Sequence, residues 1–176
     1  MGFCLKCSGD TCIVTGTDKA CYSEFISDTA PVLISLDAKL ETADSKGEKK
    51  VKLEDIYTGD GIKPINLNDT SIIKFILIPL NRGYSSVFRK IRQRESLEFT
   101  SLTSAVSIDK DNNLRIALSG VDPKPVVVTG TTESNKAELI KEALSKSRSV
   151  DNEMLTRKYR RDLIKVILSE SFEFLF

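Results

Sequence analysis

Four cysteines, Cys4, Cys7, Cys12 and Cys21, fall in the spacing C-x2-C-x4-C-x8-C near the start of the chain. Thiolates are soft ligands, so this pattern can hold a metal or a cluster, and it can equally be a set of reduced thiols with no ligand. The surrounding segment, 1–24, is built largely of Gly, Ser, Thr and Asp and carries too few apolar residues for a core of its own. Something other than packing must therefore order it. In a reducing compartment disulfides are disfavoured, and thiolate ligation can supply the missing folding energy. Zinc and an iron–sulfur cluster both accept four thiolates, and the spacing is not that of a two-pair zinc ribbon. Ligand count leaves cluster, zinc and unliganded thiols all open.

Elsewhere the reactive inventory is thin. The chain has no histidine, which removes the commonest general base, the usual triad base and the usual nitrogen ligand. Any chemistry is expected to reside in a cofactor. Arg89, Lys90, Arg92 and Arg94, close to Tyr84 and Phe88, could contact phosphate or stack on bases. Against that stand the acidic neighbours Glu95 and Glu98, the absence of a nucleic-acid motif, and a near-neutral balance of 26 basic and 25 acidic residues. The expectation is no nucleic-acid partner, with Lys90 read most plainly as part of a solvated basic strand face. Asp28, just ahead of Ala30 and Pro31, has the position of a helix N-cap. Thr58-Gly59-Asp60-Gly61 is too short and too acidic to cradle a dinucleotide pyrophosphate.

The elements that must position these residues follow from hydrophobic periodicity. Residues 30–36 read as a helical turn leading into strand. Residues 38–43 and 50–53 alternate around the turn Asp44-Ser45-Lys46-Gly47, which predicts a hairpin. A short helical turn from Glu54 and an apolar β-rich run over 71–78 complete a small α+β unit. Asn81-Arg82-Gly83 marks a boundary. Beyond it, 103–108 and 114–119 flank the turn-forming Asp109-Lys110-Asp111-Asn112-Asn113 as a second hairpin. Val126-Val127-Val128 follows after Pro123 and Pro125. Thr132-Glu133-Ser134-Asn135 reads as the start of a helix over 136–146, and a last helix runs from about Asn152 to Phe174 with Leu155, Tyr159, Leu163, Val166 and Ile167 on its apolar stripe. The longest apolar stretch, 72–80, is interrupted by Lys74 and Pro79 and falls well short of the roughly 20 residues that span a bilayer. With no secretory pattern at the N-terminus, a cytoplasmic protein without a membrane partner is expected.

Ser27-Asp28-Thr29-Ala30-Pro31-Val32-Leu33 with Leu36-Asp37-Ala38 resembles the "sD-x-aPaLlaLdA" signature of flavin subunits in the xanthine dehydrogenase and carbon monoxide dehydrogenase family. Ile76 to Pro79, then Phe88-Arg89-Lys90 with Arg94, then Arg115 to Pro125 follow in that family's order. Gly2-Phe3-Cys4-Leu5-Lys6, Gly9-Asp10-Thr11-Cys12 and Cys21 resemble more narrowly the branch of 4-hydroxybenzoyl-CoA reductase beta subunits, whose flavin domain carries a cysteine-bearing insertion for a 4Fe-4S cluster.

The resemblance implies an α+β chain. Residues 1–82 would be the C-terminal portion of a two-subdomain FAD-binding domain, with the cysteine-rich insertion at about 1–24. Residues 83–176 would be an antiparallel β-sheet with packed helices, like the C-terminal domain of carbon monoxide dehydrogenase flavoproteins. It implies FAD contacts at Asp28, Lys90 and the backbone around Ile73. Cys4, Cys12 and Cys21 match ligand positions, and Cys7 is either the fourth ligand or a bystander. The implied function is electron relay between FAD and iron–sulfur clusters within a molybdenum-containing oxidoreductase, with no activity of this chain alone. The implied partners are a large molybdopterin subunit, a small 2Fe-2S subunit and an external electron carrier. No segment of this chain matches the family's N-terminal flavin subdomain or its glycine-rich pyrophosphate loops, so weak FAD binding or none by this chain alone is expected. The alternative from another class is a non-catalytic zinc-binding interaction or assembly module.

Overall fold

The structure, a computed structural model, describes residues 4–152 and 155–176. Gly2 and Phe3 of the resemblance lie outside the described residues. The fold is α+β, with two antiparallel sheets bridged by one short helix. Helix α1 (Thr29–Ser35) replaces the expected passage from helical turn to strand. Pro31 lies in its first turn, where its missing N–H costs nothing. Strands β1 (Lys39–Asp44) and β2 (Gly47–Lys52) form the expected hairpin, with Asp44 opposite Gly47. Gly47 takes a φ of 117° at the turn, a conformation that a side chain resists. A 3-10 turn over Leu53–Ile56 follows. Strand β3 (Ile72–Leu77) then pairs with β1, giving a three-stranded sheet in the order β2-β1-β3.

The second sheet runs β4-β5-β6-β7, all antiparallel neighbours: β4 (Ser85–Ile91), β5 (Leu102–Ile108), β6 (Asn113–Ser119) and β7 (Val126–Thr131). Every residue of β5 is buried, because the sheet is covered on both faces. On one face Leu102, Val106, Leu114, Ile116, Leu118 and Val128 pack against Leu139 and Ala143 of α2 (Lys136–Lys146) and Ile164, Leu168 and Phe172 of α3 (Arg157–Leu175). Each such side chain contributes roughly 1.5–3 kcal/mol by leaving water. The other face carries smaller residues, Thr103, Ala105, Ser107, Ala117 and Ser119. They let α1 approach closely enough for the Ser35 and Ser107 hydroxyls to bond at 2.8 Å. Ala117 belongs to the same core cluster as Ala30, Ile34, Leu40 and Ile56. Helix α1 thus ties the two sheets together across the expected boundary near residue 82.

Helix α3 corrects the expected stripe. Its described span starts at Arg157, with the Thr156 side chain accepting from the Tyr159 N–H, and its buried face is Arg160, Ile164, Ile167, Leu168, Ser171 and Phe172. Tyr159 and Val166 are exposed. Arg160 takes an inward position because Glu24 and the Gly120 carbonyl meet it there, which apolar periodicity alone does not register. No helix among the described residues is long and apolar enough to cross a membrane.

Candidate functional site

Asp28 and Lys90, far apart in sequence, meet in space. Lys90 Nζ donates to Asp28 Oδ2 at 2.6 Å and to the Glu98 carbonyl at 3.0 Å. Two elements set this geometry. Asp28 stands at the start of α1. Lys90 lies near the end of β4, opposite Thr103 in the register with β5. The Thr103 hydroxyl completes the group, 3.3 Å from Asp28 Oδ1 and 2.8 Å from the Thr100 hydroxyl.

The N-cap expected of Asp28 is made instead by its neighbour: Asp28 makes no side-chain cap bond, and the Ser27 hydroxyl accepts from the Ala30 N–H at 3.0 Å. That frees the Asp28 carboxylate for Lys90. The pair is not sealed in the core, since 45% of the Asp28 side chain and 19% of the Lys90 side chain remain exposed.

The exposed side of the pair opens into a cleft of about 960 Å³, whose lining includes Ile26, Ser27, Arg92, Arg94 and Leu97. Charged and polar residues supply most of the lining, with Ile26, Leu97 and Phe99 as its apolar members, and a space of this size can take a small organic ligand. Buried Arg160 and half-buried Glu24 also line it. Arg160 pairs with Glu24 at 2.7 Å, and its Nε has no hydrogen-bond partner among the described residues. Burial pushes the Glu24 carboxyl above its ordinary range, against the pull of Arg160. Ile73 is placed elsewhere: it lies on β3, exposed, and does not line this cleft.

The cysteine segment folds as a chain of tight turns. Cys4 forms an isolated bridge with Thr11, and its carbonyl accepts from the N–H groups of Cys7 and Gly9. Cys12 and Cys21 are buried, Cys4 is half-buried and Cys7 is exposed. The Tyr22 N–H donates to Cys12 Sγ at 3.4 Å. Burial pushes the Cys12 thiol up, but hydrogen bonds from the Thr15 side chain and from the backbone of Tyr22, Thr15 and Val14 outweigh it and lower the pKa to about 7. Cys21 is pushed up by burial, and the neighbouring Cys12 and Cys4 thiols push it further. Cys21 thus responds to two of the other three expected thiols. They do not form a closed cage, since no group of three or more His, Cys, Asp or Glu side chains that could hold a metal ion is assembled among the described residues.

Other residues serve these two sites without having signalled it in the sequence. Asp60 Oδ1 accepts from the N–H groups of Cys21 and Ile62, and the Gly61 N–H donates to the Cys21 carbonyl. A Cβ on Gly61 would stand 2.4 Å from Ser23 Cβ and 3.0 Å from Cys21 Sγ. The Gly59–Gly61 loop is therefore a backing for the cysteine turn. Its glycine pair was the only available signal. Thr103 and Glu98 offered none, because a threonine inside a strand and a glutamate in a loop are ordinary.

Residues 18–81 match the family described as the FAD binding domain in molybdopterin dehydrogenase. The aldehyde oxidoreductase FAD-binding subunit PaoB of Escherichia coli (strain K12) is 33% identical over 116 residues, which is 64% of this chain and 36% of that protein. Among solved structures, a cyanide-inactivated Cu,Mo-CO dehydrogenase is similar with a TM-score of 0.70 at 17% identity, over 83% of this chain and 55% of that one. Quinoline 2-oxidoreductase from Pseudomonas putida 86 is similar with a TM-score of 0.66 at 16% identity, over 84% and 55%. The chain spans about a third of the curated relative and about half of these solved chains.

Proposed function

We propose, for a chain whose residues 18–81 are a segment of the FAD binding domain in molybdopterin dehydrogenase, that it is the part of a flavin subunit that holds the FAD ring and passes its electrons on within a molybdenum-containing oxidoreductase. The observation that carries this reading is the Asp28–Lys90 pair at the mouth of the large cleft, inside and just beyond the matched segment. Bound flavin supplies the redox chemistry. The chain's own residues orient it. Lys90 presents a positive charge fixed at two acceptors, and Asp28 holds that charge in place. Thr103 braces Asp28 from within the sheet. The backbone around Ile73, on exposed β3 and outside the cleft, is the remaining FAD contact on this reading. The partners on this reading are a large molybdopterin subunit and a small 2Fe-2S subunit, with an external carrier beyond them.

The test is FAD content and FAD affinity of the chain, purified with whatever polypeptides accompany it. Charge-assisted hydrogen bonds are worth about 1.5–3 kcal/mol. Lys90→Ala is therefore expected to weaken FAD binding roughly tenfold or more, and Asp28→Asn to do so to a smaller degree by loosening Lys90. Arg89→Ala, the neighbouring charge on β4, should leave binding unchanged. Flavin content indifferent to both Lys90 and Asp28 would sink the assignment.

The cysteine turn is, on the same reading, the seat of a 4Fe-4S cluster held by Cys4, Cys12 and Cys21, with Cys7 or a thiolate from outside this chain as the fourth ligand. The clustering of four cysteines in one short segment with few apolar residues, two of them buried, supports it. Iron and acid-labile sulfide measured on anaerobically prepared protein check it. Cys12→Ser is expected to abolish both. If Cys7→Ser keeps them, the fourth ligand comes from outside.

A further inference from the structure

We propose that the Thr100 and Thr103 hydroxyls relay the state of the Asp28 carboxylate to the neck of loop 92–99, so that a group donating to Asp28 from within the cleft closes the loop beside it more firmly. This adds regulation to the cleft and, where FAD is the donor, rests on the flavin reading.

The relay is a line of oxygens. The Thr100 hydroxyl stands 3.3 Å from the Ile91 carbonyl oxygen and 2.8 Å from the Thr103 hydroxyl, which in turn stands 3.3 Å from Asp28 Oδ1. Thr100 is 4% exposed and Thr103 is fully buried, so bulk water serves neither. The two ends of the line only accept, and the two hydroxyls between them carry one proton each. One proton must lie in the middle bond, because two hydroxyl oxygens 2.8 Å apart with no proton between them repel. The other proton then serves one end and leaves the opposite end without it. In one arrangement Thr103 donates to Thr100, and Thr100 to the Ile91 carbonyl. In the other, Thr100 donates to Thr103, and Thr103 to Asp28. Both ends are never served at once.

The ends differ in what they need. The Ile91 carbonyl also accepts from the Ser101 N–H at 2.8 Å, so a bond from Thr100 is a second tie across the neck of the loop. A charged acceptor holds a donor more strongly than a carbonyl does, so the proton goes to Asp28 while that carboxylate relies on Thr103. A ligand N–H or O–H that reaches Asp28 Oδ1 removes the need, and the proton passes to Ile91. The loop so tied is part of the cleft: Arg92, Arg94, Leu97 and Phe99 line it, and the Glu98 carbonyl accepts from Lys90.

The test is limited trypsin digestion of the chain, purified with whatever polypeptides accompany it, with cleavage after Arg92 and Arg94 followed by mass spectrometry. Both arginines are exposed, and at low trypsin the rate tracks how often the loop opens. Asp28→Ala leaves Thr103 nothing to serve at that end, so the neck gains its second tie and cleavage should slow roughly three- to tenfold. Thr103→Val cuts the line at its middle and should slow cleavage alike. Adding Thr100→Val to either should restore the parent rate, because Thr100 is the route to the neck. A plain supporting role for Asp28 predicts the opposite sign, since its loss unfastens Lys90 and with it the Glu98 carbonyl. Cleavage unchanged or faster in both Asp28→Ala and Thr103→Val, or slowing that survives Thr100→Val, overturns the relay. Saturating FAD should then protect the loop more in the parent than in Thr100→Val, and equal protection would overturn its coupling to the ligand. The variant rates are read without FAD, so they fail separately from the flavin reading, which Lys90→Ala with undiminished FAD binding would remove.

Discussion

At the level of single residues, the most heavily bonded carboxylate is Asp109, at the turn between β5 and β6. Its oxygens accept from the N–H groups of Asp111 and Asn113, from the Asn113 amide, and from Arg82 at 2.9 Å. Burial pushes its carboxyl up, but these bonds outweigh burial and hold it below the usual carboxylate range. A carboxyl depressed in the folded state stabilises the protein above its unfolded pKa, and the contribution is lost as pH falls through the folded value. Unfolding by urea followed from pH 7 downward should therefore show a loss of stability that begins near the ordinary Asp pKa of about 4. In Asp109→Asn the loss should be shallower, at the cost of a lower stability at neutral pH. Asp109→Ala should cost about 2–4 kcal/mol at pH 7. An Asp109→Asn variant with the parent's acid profile would refute the account. The sequence showed Asp109 only as a turn former. Its role as the hub of the turn emerges from four donor groups that the chain brings back to one point.

At the level of elements, Gly120 is the joint between β6 and the segment that leads to β7. It takes a φ of 82°, and a Cβ there would stand 2.6 Å from the Ser101 carbonyl oxygen. Its own carbonyl accepts from Arg160, and its N–H donates to the Phe25 carbonyl. Gly120→Ala meets both a resisted conformation and a backbone contact, and a loss of about 2–4 kcal/mol is expected from the urea midpoint. Gly47→Ala, at an open turn with nothing within 4 Å, should cost only about 1 kcal/mol. Equal costs would show that the close approach at Gly120 is immaterial. Both hairpins, the boundaries of α2 and the β3 run were legible, because alternation and turn residues are local signals. The buried face of α3 was not. Arg160 sits inside only because Glu24, Gly120 and the helix meet there, and no local window contains all three.

At the level of the molecule, the signature around Asp28 and the position of Lys90 were readable as a likeness, whereas their contact was not. It requires the Lys90 side chain to reach from β4 to the start of α1, which packs on β5 and β6, and the register of β4 with β5 brings the two within reach. The cysteine turn was readable as a cluster of thiols, and its dependence on the Gly59–Gly61 loop was hidden for the same reason. Long-range packing carries that information, and α1, wedged between two sheets, is where it is concentrated.

Among the described residues strand β3 pairs only with β1, and Ile72, Ile73, Phe75 and Ile76 are all exposed on it. Lys74 is the single charge in the run, anchored to Glu48 and within 3.6 Å of Glu41. An unpaired, apolar edge is a template for further strands. Lys74 is then the gatekeeper against self-assembly. Lys74→Val should convert a dispersed chain into one that forms thioflavin-positive aggregates, read by light scattering at matched concentration, and a dispersed variant would contradict this. A chain that displays such an edge depends on its dilution as well as on its folding stability to stay dispersed, since the rate at which two edges meet rises with concentration.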